Sequence, residues 1–208
     1  MELSAQQQDA VNHTGSPALV VAGAGSGKTR TLTAKFSHLI RLGHDPRRIL
    51  AITFTNKAAE EMKSRLIDMT GLGLSQFEWV RTYHSACLMI LKQHCDKLGY
   101  APPLQVFTPY SQEKLLKELC VKFNVDKKHS GKILSWISRA KNHGNPDAYY
   151  ELKPGFLGIK IADFHAEYEA RLKEMNVVDF DNILLKARDL LARFDDVRKY
   201  YREYFSYI

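Results

Sequence analysis

Cysteine is scarce: Cys87, Cys95 and Cys120 are the only three in 208 residues. They are too few and too scattered for a disulfide framework or a cysteine zinc site, so a reducing cytoplasm is the expected setting. No apolar run approaches the ~18–20 residues of a membrane span, and no membrane partner is expected. The opening residues, Met1-Glu2-Leu3-Ser4-Ala5-Gln6-Gln7-Gln8, lack a cationic start followed by an apolar stretch, so no secretory signal is expected. Internal repeats and low-complexity tracts are lacking too. Acidic residues are outnumbered, 23 against 30 basic ones, which leaves a net charge of +7 and suggests a polyanionic partner. Hydrophobic content of 45% and charged content of 25% are ordinary globular values and exclude bulk disorder. The length fits one large domain or two small ones.

What is present begins with alternation. Residues 3–13 read as a short helix that Ser4 can cap. The apolar run Ala18 to Ala22 reads as a strand buried on both faces. From Lys28 to Leu42 the residues Leu32, Phe36, Leu39 and Ile40 fall at helical spacing, and Gly43 is a plausible stop. Ile49 to Phe54 is a second strand candidate, followed by a helix from about Asn56 to Met69. Trp79 to Thr82 is a third, followed by an apolar helix from Ala86 to Leu98. Strand–helix alternation of this kind predicts a parallel α/β sheet. After Pro102-Pro103 the texture changes. Residues 110–124, 129–143, 161–175 and 180–194 all read as helices, a basic helical unit that starts near residue 100.

The strongest chemical signal is Ala22-Gly23-Ala24-Gly25-Ser26-Gly27-Lys28-Thr29, placed after a predicted strand and opening a predicted helix. That is the context of a phosphate loop. The glycines let backbone N–H groups converge on phosphate oxygens, and the helix N-terminus adds partial positive charge. Lys28 reaches the β- and γ-phosphates as a point charge, and the Thr29 hydroxyl is the expected Mg²⁺ ligand. Ala22 stands where the consensus has Gly. Kinases, GTPases, transporters and helicases all use such a loop, so the loop alone names no function.

A hydrolase also needs an acid at the end of another strand. Ile159 to Asp163 is an interrupted apolar run. Val177 to Asp181 is followed at once by an amphipathic helix, so Asp179 reads better as a helix cap. No convincing acidic strand end remains, and Tyr204 to Ile208 looks like a strand just beginning.

Several blocks, in order, resemble the superfamily 1A DNA helicases of the UvrD/Rep/PcrA type. Leu3 to Val11 resembles the N-terminal glutamine motif, with Gln7 at the position that reads the adenine edge and Ser4 where the family usually has Asn. Ala22 to Arg30 resembles the helicase phosphate loop, and the resemblance places Arg30 against the adenine base. Ile52-Thr53-Phe54-Thr55-Asn56-Lys57-Ala58-Ala59 and Thr82-Tyr83-His84-Ser85 resemble blocks that contact single-stranded DNA, with Tyr83 for the usual Phe. Val178 to Leu184 resembles a stretch that leads back into the first motor domain.

The resemblance implies a RecA-like P-loop NTPase fold with a motor domain over 1–99, an inserted basic helical subdomain over 100–176 and a return over 177–208. It implies a full-length ATP-dependent 3′→5′ DNA helicase that uses ATP and Mg²⁺. Its partners would be single-stranded DNA, single-strand/duplex junctions and the remainder of its own chain. In that family an acidic Mg²⁺-holding block follows. The present sequence stops before it, so these 208 residues are expected to bind nucleotide without turning it over. The motor half of a helicase–nuclease, or a nucleic-acid-binding component with a helicase-like fold, is the alternative.

The chemistry of these blocks agrees. The rings of Phe54, Tyr83 and His84 offer stacking worth ~1–3 kcal/mol per base. Thr55, Asn56, Lys57 and Thr82 offer hydrogen bonds or charge to phosphates. Lys114, Lys117, Lys122, Lys127, Lys128, Lys132, Arg139 and Lys141 crowd one segment, opposed within it only by Glu118 and Asp126. It reads either as a phosphate-backbone contact or as a solvated lysine face. His38, His94 and His165 read as surface or satisfied histidines, and Trp136 with Ile133, Leu134 and Ile137 as a helix core face.

Overall fold

The computed structural model describes residues 3–152, 155–156 and 158–208. The chain divides into two compact units, residues 1–86 with 199–208, and residues 87–198.

The first unit opens with α1 (Ala5–Asn12), which Ser4 caps and Val11 anchors in the interior. Next comes α2 (Lys28–Arg41), which buries Phe36 and Leu39 on one face. β1 (Ala51–Thr53), α3 (Asn56–Thr70) and β2 (Val80–Thr82) follow. Thr55 caps the start of α3 and Gly71, at φ 70°, ends it in the left-handed conformation that glycine tolerates. The two strands pair in parallel, with Ala51 opposite Val80 and Thr53 opposite Thr82. Phe36, Leu39, Ile49, Ala51, Met62, Leu66, Phe77 and Val80 form the core between strands and helices. α4 (Tyr83–His94) begins here and runs on into the second unit. The returning segment docks by backbone: Leu50 N–H donates to the Tyr207 carbonyl at 2.9 Å, and Ile49 and Tyr207 form a parallel bridge. Trp79 closes over it against Tyr201 and Phe205.

One expected strand is missing. Residues 18–22 form no strand, and Leu19 is 91% exposed. A strand exists only where a neighbour takes its backbone hydrogen bonds, and among the described residues none pairs with this run.

The second unit holds β3 (Gln105–Val106), α5 (Pro109–Lys122), α6 (Ser130–Asn142), α7 (Pro146–Leu152), β4 (Gly155–Phe156), β5 (Ile159–Lys160), α8 (Ile161–Glu174), β6 (Val177–Val178) and α9 (Phe180–Arg193). α10 (Asp195–Tyr204) crosses back into the first unit. β3 and β6 pair in parallel, and β4 and β5 form an antiparallel hairpin. The core gathers Leu115, Leu116, Ile133, Ile137, Phe164, Tyr168 and Leu172 from α5, α6 and α8. The whole is a mixed α/β chain, mostly helical with parallel strand pairs, as the alternation predicts. The division into units falls at 86/87 and 198/199. The reason is packing: α9 lies against α6, and the 3-10 turn Cys95–Leu98 lies against α9, so both belong to the helical unit.

Candidate nucleotide and nucleic-acid site

The phosphate loop is built by glycine geometry. Gly25 (φ 74°) and Gly27 (φ 87°) are left-handed, and Gly27 is the N-cap of α2, with no side chain capping the first-turn amides. Those amides and the helix dipole make an anion-binding end. A Cβ at Gly23 or Gly25 would meet nothing within 4 Å, so backbone there stands open, whereas one at Gly27 would lie 3.0 Å from Gln7 Nε2. The Ser26 hydroxyl donates to the Gly23 carbonyl at 2.8 Å and holds the curl. Lys28 Nζ donates back to the carbonyls of Gly23 (2.6 Å) and Ala22 (3.1 Å). The ammonium thus lies over the loop, and Thr29 follows it, exposed in the first turn of α2. Ala24 is exposed at the tip of the loop. These groups fit a triphosphate and its cation.

Gln7 reaches this loop from α1. Ser4 and Gln7 form a reciprocal capping box: the Ser4 hydroxyl accepts from Gln7 N–H, and Gln7 Oε1 accepts from Ser4 N–H at 3.0 Å. Gln7 Nε2 donates to the Ser26 carbonyl at 2.9 Å, and Arg30 Nη2 donates to Gln7 Oε1 at 3.0 Å. Lys35 ties α2 to α1 by donating to the carbonyls of Val11 and His13. The result is a cleft of about 970 Å³ lined in part by Gln7, Ala22, Ser26, Lys28 and Thr31.

The second group of residues sits at the carboxyl ends of β1 and β2. Thr53 opposite Thr82 sets Phe54 and Tyr83 one step beyond paired positions on neighbouring strands. Phe54 is 99% exposed and Tyr83 56% exposed, the reverse of a core aromatic. Thr55 and Thr82 play a different part from the one expected of free hydroxyls. Thr55 Oγ1 accepts from Ala58 N–H at 3.1 Å, and Thr82 Oγ1 exchanges hydrogen bonds with Ser85. Each therefore fixes the start of a helix beside an exposed ring. Asn56 and Lys57 are exposed in the first turn of α3, and His84 is half-buried.

In the second unit, Asp179 is a helix cap, as the sequence suggests: its Oδ1 accepts from Asn182 N–H at 2.8 Å. It also anchors a buried ionic cluster. Lys141 Nζ lies 2.7 Å from Asp179 and 2.6 Å from Glu169, and the Tyr168 hydroxyl donates to Asp179 at 2.9 Å. Lys141 is only 2% exposed, so it leaves the basic surface to which the sequence assigned it. Burial, and then the Asp179 carboxylate, push the Tyr168 phenol well above its ordinary range. Burial also pushes Glu169 up, but His165, Lys141 and Asn182 outweigh it and hold the carboxyl down at about 2. His165 Nε2 stands 3.6 Å from Glu169, longer than a hydrogen bond, so the Lys141 ammonium is the closer hold. Of the remaining cations, Lys117 pairs with Glu113, Lys122 with Glu167 and Lys128 with Asp126. Lys132 lies over the Phe156 ring. His165 is buried, with Nδ1 against the Tyr150 hydroxyl at 3.0 Å.

The fold and the loop define a class: a mixed α/β chain carrying a phosphate loop at the start of a helix. The chain belongs to the UvrD/REP helicase N-terminal domain family, which matches residues 3–208. It is 36% identical over 210 residues to the ATP-dependent DNA helicase PcrA of Bacillus subtilis (strain 168), covering 99% of this chain and 28% of that protein. The PcrA of Leuconostoc citreum is also 36% identical, over 98% of this chain and 28% of its own length. The chain thus spans under a third of the curated relatives it matches.

Proposed function

We propose that these residues form the N-terminal ATP- and DNA-binding part of an ATP-dependent DNA helicase that moves 3′→5′ along single-stranded DNA and unwinds duplex at single-strand/duplex junctions. The observation that carries this is the pairing, within one compact unit, of a phosphate loop with two exposed aromatics at the ends of adjacent parallel strands. Open α/β folds bind ligands at that edge. Ala22 to Thr29 hold the triphosphate, with Lys28 turning from the loop carbonyls to the β- and γ-phosphates. Gln7 and Arg30 receive the base. Magnesium, when bound, supplies charge neutralisation at the phosphates, and the Thr29 hydroxyl is the group in this chain that would hold it. Phe54 and Tyr83 stack on DNA bases, while the first turns of α3 and α4, with Asn56, Lys57 and His84, face the backbone.

Strand displacement by the protein at its full natural length, on duplexes with 3′ or 5′ tails, tests this. ATP-dependent unwinding of the 3′-tailed duplex, abolished by Lys28→Ala, is the expected result. Inactivity on both substrates with folded protein would overturn it. The 208 residues alone are proposed to bind nucleotide without hydrolysing it: Asp179, an acid the sequence offers, is already committed to a helix cap and to Lys141. DNA-stimulated hydrolysis by the 208 residues, lost in Lys28→Ala, would contradict that.

A further inference from the structure

A smaller polar cleft, of about 300 Å³, lies wholly within the second unit, where the C-terminal halves of α8 and α9 meet the turn that follows α4. Tyr100, Glu169, Lys173, Lys186, Asp189 and Arg193 line it. Three cations thus face two acids, and both acids are engaged elsewhere. Glu169 pairs with Lys141 at 2.6 Å and accepts from the Asn182 amide, and Asp189 Oδ1 accepts from Arg188 at 3.0 Å.

The three cations keep free capacity. Lys173 Nζ donates one of its three hydrogens to the Leu98 carbonyl at 2.6 Å and lies over the Tyr100 ring, 3.5 Å from its centroid. Gly99 makes room for it, since a Cβ there would stand 3.2 Å from Nζ. Lys186 Nζ is 4.0 Å from Glu169 Oε2, beyond a hydrogen bond. Arg193 lies against the Phe194 ring and has no carboxylate partner among the described residues. Burial pushes Lys173 below its ordinary range, and the Lys186 ammonium pushes it further down. Like charges that crowd one cleft repel, and an anion between them relieves the repulsion.

We propose that this cleft binds a small anion with two or more linked phosphate groups, of the pyrophosphate class. Lys186 and Arg193 are seven residues apart, two turns or ~10.5 Å along α9, and Lys173 joins them from α8. Positive charge set out over that length suits linked phosphates better than a single one. The volume is that of a small-molecule pocket, at the lower end of the usual ~300–1,000 Å³. Each helix C-terminus contributes about half a negative charge, which three full cations outweigh. The site is separate from the phosphate loop, which belongs to the first unit.

Titration calorimetry with sodium pyrophosphate, at fixed ionic strength, tests this on the protein at its full natural length. Every protein compared carries Lys28→Ala, so that the phosphate loop does not dominate the signal. Pyrophosphate should bind saturably, and inorganic phosphate about tenfold more weakly. Lys186→Gln and Arg193→Gln should each weaken pyrophosphate about tenfold, the worth of one charge-assisted hydrogen bond. Asp189→Asn removes a nearby negative charge and should tighten it, by roughly threefold. Lys92→Gln, outside the cleft, should change nothing. Urea midpoints matched to the parent would show that the variants are folded. Absence of saturable binding, or pyrophosphate affinity unmoved by both Lys186→Gln and Arg193→Gln, overturns the proposal. So does a loss confined to single-stranded DNA in those two variants, which would assign the cations to a strand's backbone.

Discussion

Lys141 shows how residue type and residue position can point in opposite directions. Its position was legible: Ile133, Ile137, Ala140 and Lys141 recur at i, i+4, i+7 and i+8, the buried face of α6. Its chemistry was not, because a lysine in a basic run reads as a surface cation, and the partner that keeps it inside, Asp179, lies 38 residues on. The phosphate loop is the opposite case. Its spacing pointed to the loop residues, but not to Lys28 resting on the loop's own carbonyls or to Arg30 holding Gln7. Long-range side-chain pairing leaves no periodic trace. Removing one member of a buried ion pair leaves the other charge uncompensated, at a cost of about 3–5 kcal/mol. Lys141→Met should therefore lower unfolding free energy by that amount in denaturant titrations, far more than Lys114→Met on the exposed face of α5. A loss under about 1 kcal/mol would mean that Asp179 and Glu169 find other partners.

At the scale of elements, most helices and the paired strands β1 and β2 were legible, and the run at residues 18–22 was not. Caps and apolar spacing are local, so α2, α3, α5, α6, α8 and α9 lie within a residue or two of their expected bounds. Residues 18–22 have the composition of a strand, but their ladder depends on a partner elsewhere in the chain. The short α7 and the β4–β5 hairpin fall below the length at which periodicity speaks. One cap bears on the proposed site, since Thr55 fixes the start of α3 beside the exposed Phe54. Thr55→Ala should cost about 1 kcal/mol of stability through the lost cap. Thr55→Asp restores a capping oxygen and should recover most of that loss, yet its negative charge should repel a phosphate at the same helix end. Stability and single-strand affinity should therefore part company in Thr55→Asp. Recovery of both together would place the DNA backbone away from α3.

At the scale of the molecule, charge decides both association and acid stability. The net charge of +7 was plain in the sequence, but ion pairing thins the basic segment: Lys117, Lys122, Lys128 and Lys141 all have carboxylate partners. Lys114 and Lys127, which share a shallow cleft of about 390 Å³ with Lys117, have none among the described residues. If the segment tracks the phosphate backbone, charge reversal at Lys114 and Lys127 should lower DNA affinity and flatten the slope of log affinity against log salt. An unaltered slope would assign both to solvent. Acid stability rests on different groups. Asp45, Asp126 and Asp196 are held low by the Arg47 side chain, the Lys128 backbone amide and the Lys97 side chain, but they stand largely in solvent, where salt screens the gain. Glu169 is mostly buried beside Lys141, and its carboxyl falls from an ordinary 4.5 to about 2. A carboxyl held low in the folded state binds fewer protons there than in the unfolded chain. Its contribution is therefore complete above about pH 4.5 and is lost as pH falls through about 2. The amount is on the order of 3 kcal/mol. Glu169→Gln keeps an oxygen for the Asn182 amide and removes the titration. It should start less stable at neutral pH and lose less between pH 5 and 2. Parallel pH profiles for the two proteins, followed by urea midpoints, would show that the buried Lys141–Glu169 contact does not govern acid unfolding.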